Sequence, residues 1–251
     1  MYMVAKPSLN GLKVLVTRPK EQAQHLCDLI SQGGGEVIAF PSIEIVGIDD
    51  KQWSQFELDA VDMIIFVSRN AVSGFINGFK QSIPGRIQLV SVGAGSAQSM
   101  QDHGLCIDLQ PEQSIGSEGL LLMPDLAVMS GKRVLIVRGQ GGRELLADTL
   151  RQRGAIVSYL EVYQRILPSP TEAACQLALE AEAIICTSVA GVKNLALLLQ
   201  KGLKKIHDKP MLVVSERIKK TAVSLGFKQV WVTESASDTD VVKLLTKMER
   251  G

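Results

Sequence analysis

Three arginines stand where apolar runs end and helical patterns begin: Arg18, Arg138 and Arg217. In an open α/β sheet that end of a strand is where ligands bind. A guanidinium grips carboxylate or phosphate through paired hydrogen bonds, so arginines recurring at such ends point to an anionic ligand. Ser68, Ser188 and Ser215 occupy strand-to-helix positions of the same kind. Each suits the cap of the following helix, and the N–H groups and dipole of a helix start can also hold an anion. The glycine loops Gly93-Ala94-Gly95 and Gly139-Gln140-Gly141-Gly142 follow two further strands and let backbone approach a ligand closely. Tyr163 lies in a long extended segment. There a tyrosine either packs with its hydroxyl at the rim or, facing a cleft, donates a proton to a leaving group.

Other chemistries find little support. Neither glycine loop continues into Gly-Lys-Ser/Thr or fits G-x-G-x-x-G with an acidic partner, and no G-x-S-x-G elbow occurs. His25, His103 and His207 are far apart and outside any Cys/His cluster, so no metal site is expected. Cys27, Cys106, Cys175 and Cys186 form no CxxC pair and read as buried free thiols of a reducing cytosol. With 251 residues, 46% of them hydrophobic, the chain supports a packed core. Aromatics at 4% and a net charge of +1 argue against nucleic acid. The N-terminus lacks the apolar centre of a secretory signal, and no apolar run is long enough to span a membrane. These observations predict a cytoplasmic protein and, with no signal for oligomerisation, a monomer.

The positioning elements follow a βα rhythm. Apolar runs at 14–16, 62–67, 88–92, 106–109, 133–137, 182–187, 211–214 and 229–232 predict strands. Helical patterns follow at 70–79, 93–103, 142–152, 188–199, 215–226 and 237–248, and Ser117 is expected to cap a short helix through Met123. Two longer extended segments, 37–46 and 156–167, stand apart, and Pro41 bars the first from being an uninterrupted central strand.

The chain also repeats itself. Residues 13–40 match 133–160 at eight positions, including Val14, Leu15 and Arg18, where about two would arise by chance. Residues 62–72 match 182–192 at the same offset of 120, through Ile64, Ile65, Ser68 and Val72. The shared offset predicts a duplication. The expected architecture is α/β, with two similar parallel-sheet lobes joined by a two-stranded β linker. One lobe takes residues 1–36 and 170–251, the other takes 49–155, and 37–48 pair with 156–169 as the linker.

A series of motifs runs in order along the chain: Val14-Leu15-Val16-Thr17-Arg18-Pro19, Phe40-Pro41-Ser42-Ile43-Glu44-Ile45, Ile65-Phe66-Val67-Ser68-Arg69-Asn70-Ala71-Val72, residues 134–138 with Gly139, Glu161-Val162-Tyr163-Gln164, and residues 212–217. With this series the sequence resembles the uroporphyrinogen-III synthase family over nearly its whole length. The resemblance implies two lobes facing a cleft and a cofactor-free enzyme of tetrapyrrole synthesis. Its substrate would be hydroxymethylbilane, a linear tetrapyrrole carrying many carboxylates. The enzyme would aid loss of the hydroxyl, invert ring D through a spiro intermediate and close the macrocycle as uroporphyrinogen III.

The resemblance further implies that Tyr163 assists the departing hydroxyl. Substrate carboxylates would meet the helix starts after Thr17, Ser68, Gly93, Arg138, Ser188 and Ser215, together with Arg18, Asn70, Ala71, Gly139, Val189 and Arg217. Where the family carries a threonine-rich turn, this chain has Ser215-Glu216-Arg217-Ile218, which makes Arg217 the candidate carboxylate partner there. Transient contact with the enzyme that makes hydroxymethylbilane is a further expectation. The alternative left open by the residues alone is a non-catalytic two-lobed binding protein or sensor for a small polycarboxylate.

Overall fold

The computed structural model describes residues 9–48, 58–79, 82–112 and 116–249. In chain order the first elements are β1 (Lys13–Val16), α1 (Lys20–Gln32), β2 (Glu36–Ala39) and β3 (Glu44–Gly47). Next come β4 (Met63–Phe66), α2 (Arg69–Gly78), β5 (Gln88–Ser91), α3 (Ala94–Asp102) and α4 (Ser117–Leu121). The second half begins with β6 (Arg133–Gly139), α5 (Leu145–Gln152), β7 (Ile156–Ile166) and α6 (Glu172–Ala178). It ends with β8 (Ala183–Cys186), α7 (Val189–Leu198), β9 (Pro210–Val213), α8 (Glu216–Ser224), β10 (Gln229–Val232) and α9 (Asp238–Glu249).

Two compact units result. One takes the chain up to Glu44 and again from Ile166 onward; the other takes Ile45–Arg165. Both divisions fall inside the extended segments 37–48 and 156–169. The first unit holds a sheet of order β10-β9-β8-β1-β2, the second a sheet of order β3-β7-β6-β4-β5. The two sheets repeat one another. β1 pairs in parallel with β2 and β8, and its counterpart β6 pairs in parallel with β7 and β4. β9 lies beside β8 as β5 lies beside β4. The duplication is therefore shuffled between units. The first copy gives β1 and β2 to one unit and β4 and β5 to the other, and the second copy does the reverse.

The central strands are short and apolar, because helices cover both faces of each sheet. Met63–Phe66 and Ala183–Cys186 are buried at every position. Alternate residues serve opposite faces. In the second unit Ile64, Phe66, Leu135 and Val137 pack with Val72 and Phe75 of α2, while Met63, Ile65, Val134 and Ile136 pack with Leu146 and Leu150 of α5. In the first unit Leu15, Ile184 and Met211 face Val192 and Ile218, while Val14, Ile185 and Leu212 face Leu26, Ile30 and Leu245. No helix among the described residues is long and apolar enough to cross a membrane.

Several expectations are corrected. The strand expected at 106–109 shrinks to one bridge, Leu109 with Val90. The Asp108 carboxylate accepts the Leu89 N–H at 2.7 Å, taking the donor a longer ladder would need. Cys106 is exposed rather than buried, Cys27 and Cys175 are half-buried, and all four thiols are free. The helix expected from Gly142 starts at Leu145, after a turn in which Gly141 adopts φ +72°. Ser117 is the first residue of α4 rather than its cap, which is Gly116 at φ 70°. The segment 37–46 is interrupted at Pro41 as expected, with β2 in the first sheet, and of the expected linker pairing only β3 lies beside β7, at the edge of the second sheet.

Candidate active site

The C-terminal ends of β4, β6 and β7 in the second unit surround a cavity of about 560 Å³. Its lining includes Ser68, Arg138, Gly139, Gly142, Tyr159 and Tyr163. A register shift between Arg138 and Gly139 organises it. Arg138 pairs with Glu161, but Gly139 pairs with Tyr163, so Val162 is the extra residue of a bulge. Bulges of this kind re-aim a side chain. Without it Tyr163 would share a face with Tyr159, which packs on the α5 side. Instead Val162 and Tyr163 both pack on the α2 side, where Ser68 stands.

Gly139 makes room for this arrangement. A Cβ there would lie 2.4 Å from Tyr163 Cζ, so any other residue would push the ring away. Gly74 does the same for the neighbouring residue, since its Cβ would lie 2.7 Å from a Val162 methyl. Tyr163 is 3% exposed, and its hydroxyl has two protein partners. Arg165 Nη2 donates to the phenol oxygen at 3.0 Å, and Ser68 Oγ lies 3.2 Å from it. Ser68 also caps α2 by accepting the Ala71 N–H at 3.1 Å, so the cap and the phenol hold one another in place. Arg165 donates to the phenol oxygen, and either hydroxyl can donate in the Ser68–Tyr163 bond; when Ser68 donates, the Tyr163 O–H is free to donate toward the cavity.

Arg138 forms a second centre in the same cavity. Its side chain is only 6% exposed and pairs with Glu144 Oε1 at 2.9 Å. The guanidinium lies over the Tyr159 ring, 4.6 Å from its centroid, and Tyr159 donates its hydroxyl to Glu144 Oε2. Gly142 leaves space for the guanidinium, since a Cβ there would lie 2.8 Å from Nη2. The Tyr159 hydroxyl first, then Arg138, hold the Glu144 carboxyl below the usual carboxylate range. Burial, followed by the bond to Glu144, pushes the Tyr159 phenol above its usual value.

Of the residues expected from sequence, Ser68, Arg138, Gly139 and Tyr163 meet around this cavity. Gly93 is the N-cap of α3 just beyond the cavity-lining Val92, and its carbonyl accepts the hydroxyls of Ser91 and Ser96 at 2.8 and 2.9 Å. Asn70 and Ala71 form the first turn of α2, and the Ala71 N–H is engaged by the Ser68 cap.

The remaining expected residues lie in the first unit. Thr17 is buried, with its hydroxyl donating to the Ile185 carbonyl at 2.9 Å. Arg18 Nη1 meets Asp238 Oδ1 at 2.5 Å, and His25 Nδ1 lies 2.7 Å from the other oxygen. Burial works to raise the Asp238 pKa, but the bonds from His25 and Arg18 outweigh it and hold the carboxyl below its ordinary value. Ser188 and Ser215 cap α7 and α8 by accepting the N–H groups of Gly191 and Ile218 at 2.9 and 3.4 Å. Val189 opens α7, and Arg217 is exposed on the first turn of α8.

Sequence reasoning missed Tyr159, Glu144 and Arg165, whereas Gly142 belongs to the glycine loop it singled out. Tyr159 and Arg165 share the long extended segment of Tyr163, whereas no pattern in the sequence marks Glu144. No group of three or more His, Cys, Asp or Glu side chains among the described residues could hold a metal ion.

Comparison with known proteins places this geometry. The family model described as Uroporphyrinogen-III synthase HemD matches residues 24–243. A uroporphyrinogen-III synthase of Escherichia coli is 30% identical over 246 residues, spanning 93% of this chain and 100% of that protein. One from Proteus mirabilis is 36% identical over 163 residues, 62% of this chain and 81% of its own length. The fold is shared with uroporphyrinogen-III synthetase from Helicobacter pylori, at TM-score 0.66 and 16% identity over 94% of this chain and 99% of that one. It is also shared with a mutant uroporphyrinogen III synthase from Thermus thermophilus, at TM-score 0.63 and 16% identity over 96% and 100%. The extent of the family match and the full-length relative show that the chain belongs to the uroporphyrinogen-III synthase family.

Proposed function

We propose that the cavity of the second unit receives the hydroxymethyl end of hydroxymethylbilane and that Tyr163 protonates its departing hydroxyl. Family membership makes the reaction a cyclising lyase step of tetrapyrrole synthesis. The observation that carries the residue assignment is the Tyr163 phenol itself. It is wedged against Gly139, held by Arg165 and Ser68, and placed at the wall of a cavity. In the first step the C–O bond breaks, the phenol proton joins the leaving hydroxide, and water departs. The bilane is left as an azafulvene cation. The substituted carbon of ring D attacks that cation to give the spiro intermediate, which opens and recloses with ring D inverted. The proton lost on rearomatisation returns to the Tyr163 oxygen, so the enzyme ends as it began.

Positioning matters as much as the proton, since hydroxymethylbilane cyclises unaided to the type I isomer. Holding the chain folded for attack at the substituted carbon is where orientation lowers the barrier. In this reading the substrate carboxylates meet Arg138 and the helix starts at Ser68–Ala71 and Gly93. The helix starts at Ser188, Val189 and Ser215, with the exposed Arg217, offer the same kind of contact, whereas Thr17 and Arg18 already have protein partners. The reading also makes the protein a cytoplasmic monomer that meets the hydroxymethylbilane-producing enzyme only in passing.

Tyr163→Phe tests it with freshly made hydroxymethylbilane. The expected result is a kcat lower by about 100-fold, the usual worth of a positioned acid, with type I product replacing type III. Unchanged turnover to the type III isomer removes Tyr163 from the mechanism.

A further inference from the structure

Glu144 poses a question the mechanism above does not use. Its carboxylate is gripped at both oxygens, by Arg138 on one and Tyr159 on the other. The guanidinium is almost wholly enclosed, stacked on the Tyr159 ring and accommodated by Gly142. The carboxylate they hold is different in kind. The Glu144 side chain is 51% exposed, and it comes from an exposed turn, residues 140–144, just before α5. The gripping pair is therefore built into the sheet, and the gripped group is on a surface turn that closes over it.

A buried guanidinium must keep an anionic partner, because leaving it bare costs far more than any single surface contact returns. A half-exposed glutamate is easily replaced, because an ion pair open to water contributes little net stability. Another carboxylate entering the cavity can make the same two bonds while Glu144 returns to solvent. Glu161, 4.0 Å from Arg138 Nε, keeps a negative charge near the guanidinium throughout the exchange.

We propose that Arg138 and Tyr159 form a carboxylate receptor that Glu144 and an acetate or propionate side chain of the substrate occupy by turns. The receptor stands on the geometry alone; naming its occupant as a substrate side chain rests on the function proposed above. Exchange of one carboxylate for another gives modest net affinity but strong selection against a neutral group, which would leave both donors unpaired. Tyr159 thereby becomes a specificity-determining residue and Glu144 a competitor within the chain.

Thermal melting of Glu144→Ala with sodium propionate, against sodium chloride at equal ionic strength, tests the receptor without turnover. The expected result is a saturable rise in Tm with propionate that chloride does not produce and that Glu144→Ala/Tyr159→Phe lacks. A Glu144→Ala protein that ignores propionate overturns the receptor. Glu144→Gln provides the kinetic arm and keeps a side chain of the same size. Its KM for hydroxymethylbilane should fall by about fivefold, the scale of a lost exposed ion pair, and Tyr159→Phe should raise it. A higher KM in Glu144→Gln makes Glu144 a structural support and sinks the exchange. Because the propionate response needs no catalysis, it survives a failure of the Tyr163 assignment, and its loss alongside normal type III production refutes the receptor alone.

Discussion

Arg18 and Arg138 close equivalent strands, β1 and β6, yet they meet different partners. Arg18 is paired with Asp238, 220 positions away on the first turn of α9 and 16% exposed, which ties two distant parts of the first unit together. Arg138 is paired with Glu144, six positions on, in an exposed turn at the edge of a cavity. The residues that follow differ as well. After Arg18 comes Pro19, which leads directly into α1; after Arg138 come glycines that make room for Tyr163 and for the guanidinium. Ser68 and Ser188 cap equivalent helices in the same way, but only Ser68 touches a phenol. One duplicated frame thus carries an arginine that stabilises the fold and another that faces a cavity. The difference comes from a bulge, a glycine loop and the length of the connection to the anion.

The largest effect expected on this contrast is at Gly139. Gly139→Ala forces the Tyr163 ring aside, and kcat should fall by about 100-fold, as for an ångström-scale misplacement. Overpacking should cost about 2 kcal/mol of stability. Pro19→Ala, at the matching position of the first unit, should leave kcat within about twofold. Equal losses at both positions would break the contrast.

Next is the pair of anions. Asp238→Asn should destabilise by about 2 kcal/mol at neutral pH, since it removes a charged partner from a mostly enclosed guanidinium. Glu144→Gln should cost less than Asp238→Asn, because Glu144 is open to water and Glu161 stays near the Arg138 guanidinium. The pH dependence has a definite sign. The Asp238 pKa is lowered in the folded state, so its stabilisation is present above the unfolded value near 3.9 and is lost as pH falls through the folded value. Urea melts between pH 6 and pH 2 should show an acid-side loss in the native protein that Asp238→Asn largely lacks.

The serines give a smaller effect. Ser68→Ala and Ser188→Ala should each lose about 1 kcal/mol of cap stability. Only Ser68→Ala should also lower kcat, by about tenfold, because only it loosens Tyr163. Steady-state kinetics beside chemical denaturation separates the two.

Much of the frame was legible because it rests on local pattern. The apolar runs at 62–67, 133–137 and 182–187 mark buried parallel strands, the offset of 120 marks the repeat, and Ser68, Ser188 and Ser215 are caps where strand meets helix. The site was legible only in part. Ser68, Arg138, Gly139 and Tyr163 stood out by position, but the face Tyr163 presents depends on a bulge that no residue type announces. Glu144 and Tyr159 become partners only once the turn at 140–144 folds back over β7. The ion pair of Arg18 with Asp238 depends on where α9 docks, which strand and helix periodicity does not encode. The strand expected at 106–109 failed for a different reason: the Asp108 side chain competes with its own backbone for the ladder.

The central claim is that the Tyr163 phenol supplies the proton that releases the hydroxyl. The most direct measurement compares native protein and Tyr163→Phe on hydroxymethylbilane and on a bilane whose leaving group departs as a stable anion without a proton. The account predicts a deficit of about 100-fold on the first substrate and near-native formation of the type III isomer on the second. An equal deficit on both substrates would contradict it, since the phenol would then be shaping the cavity rather than donating a proton.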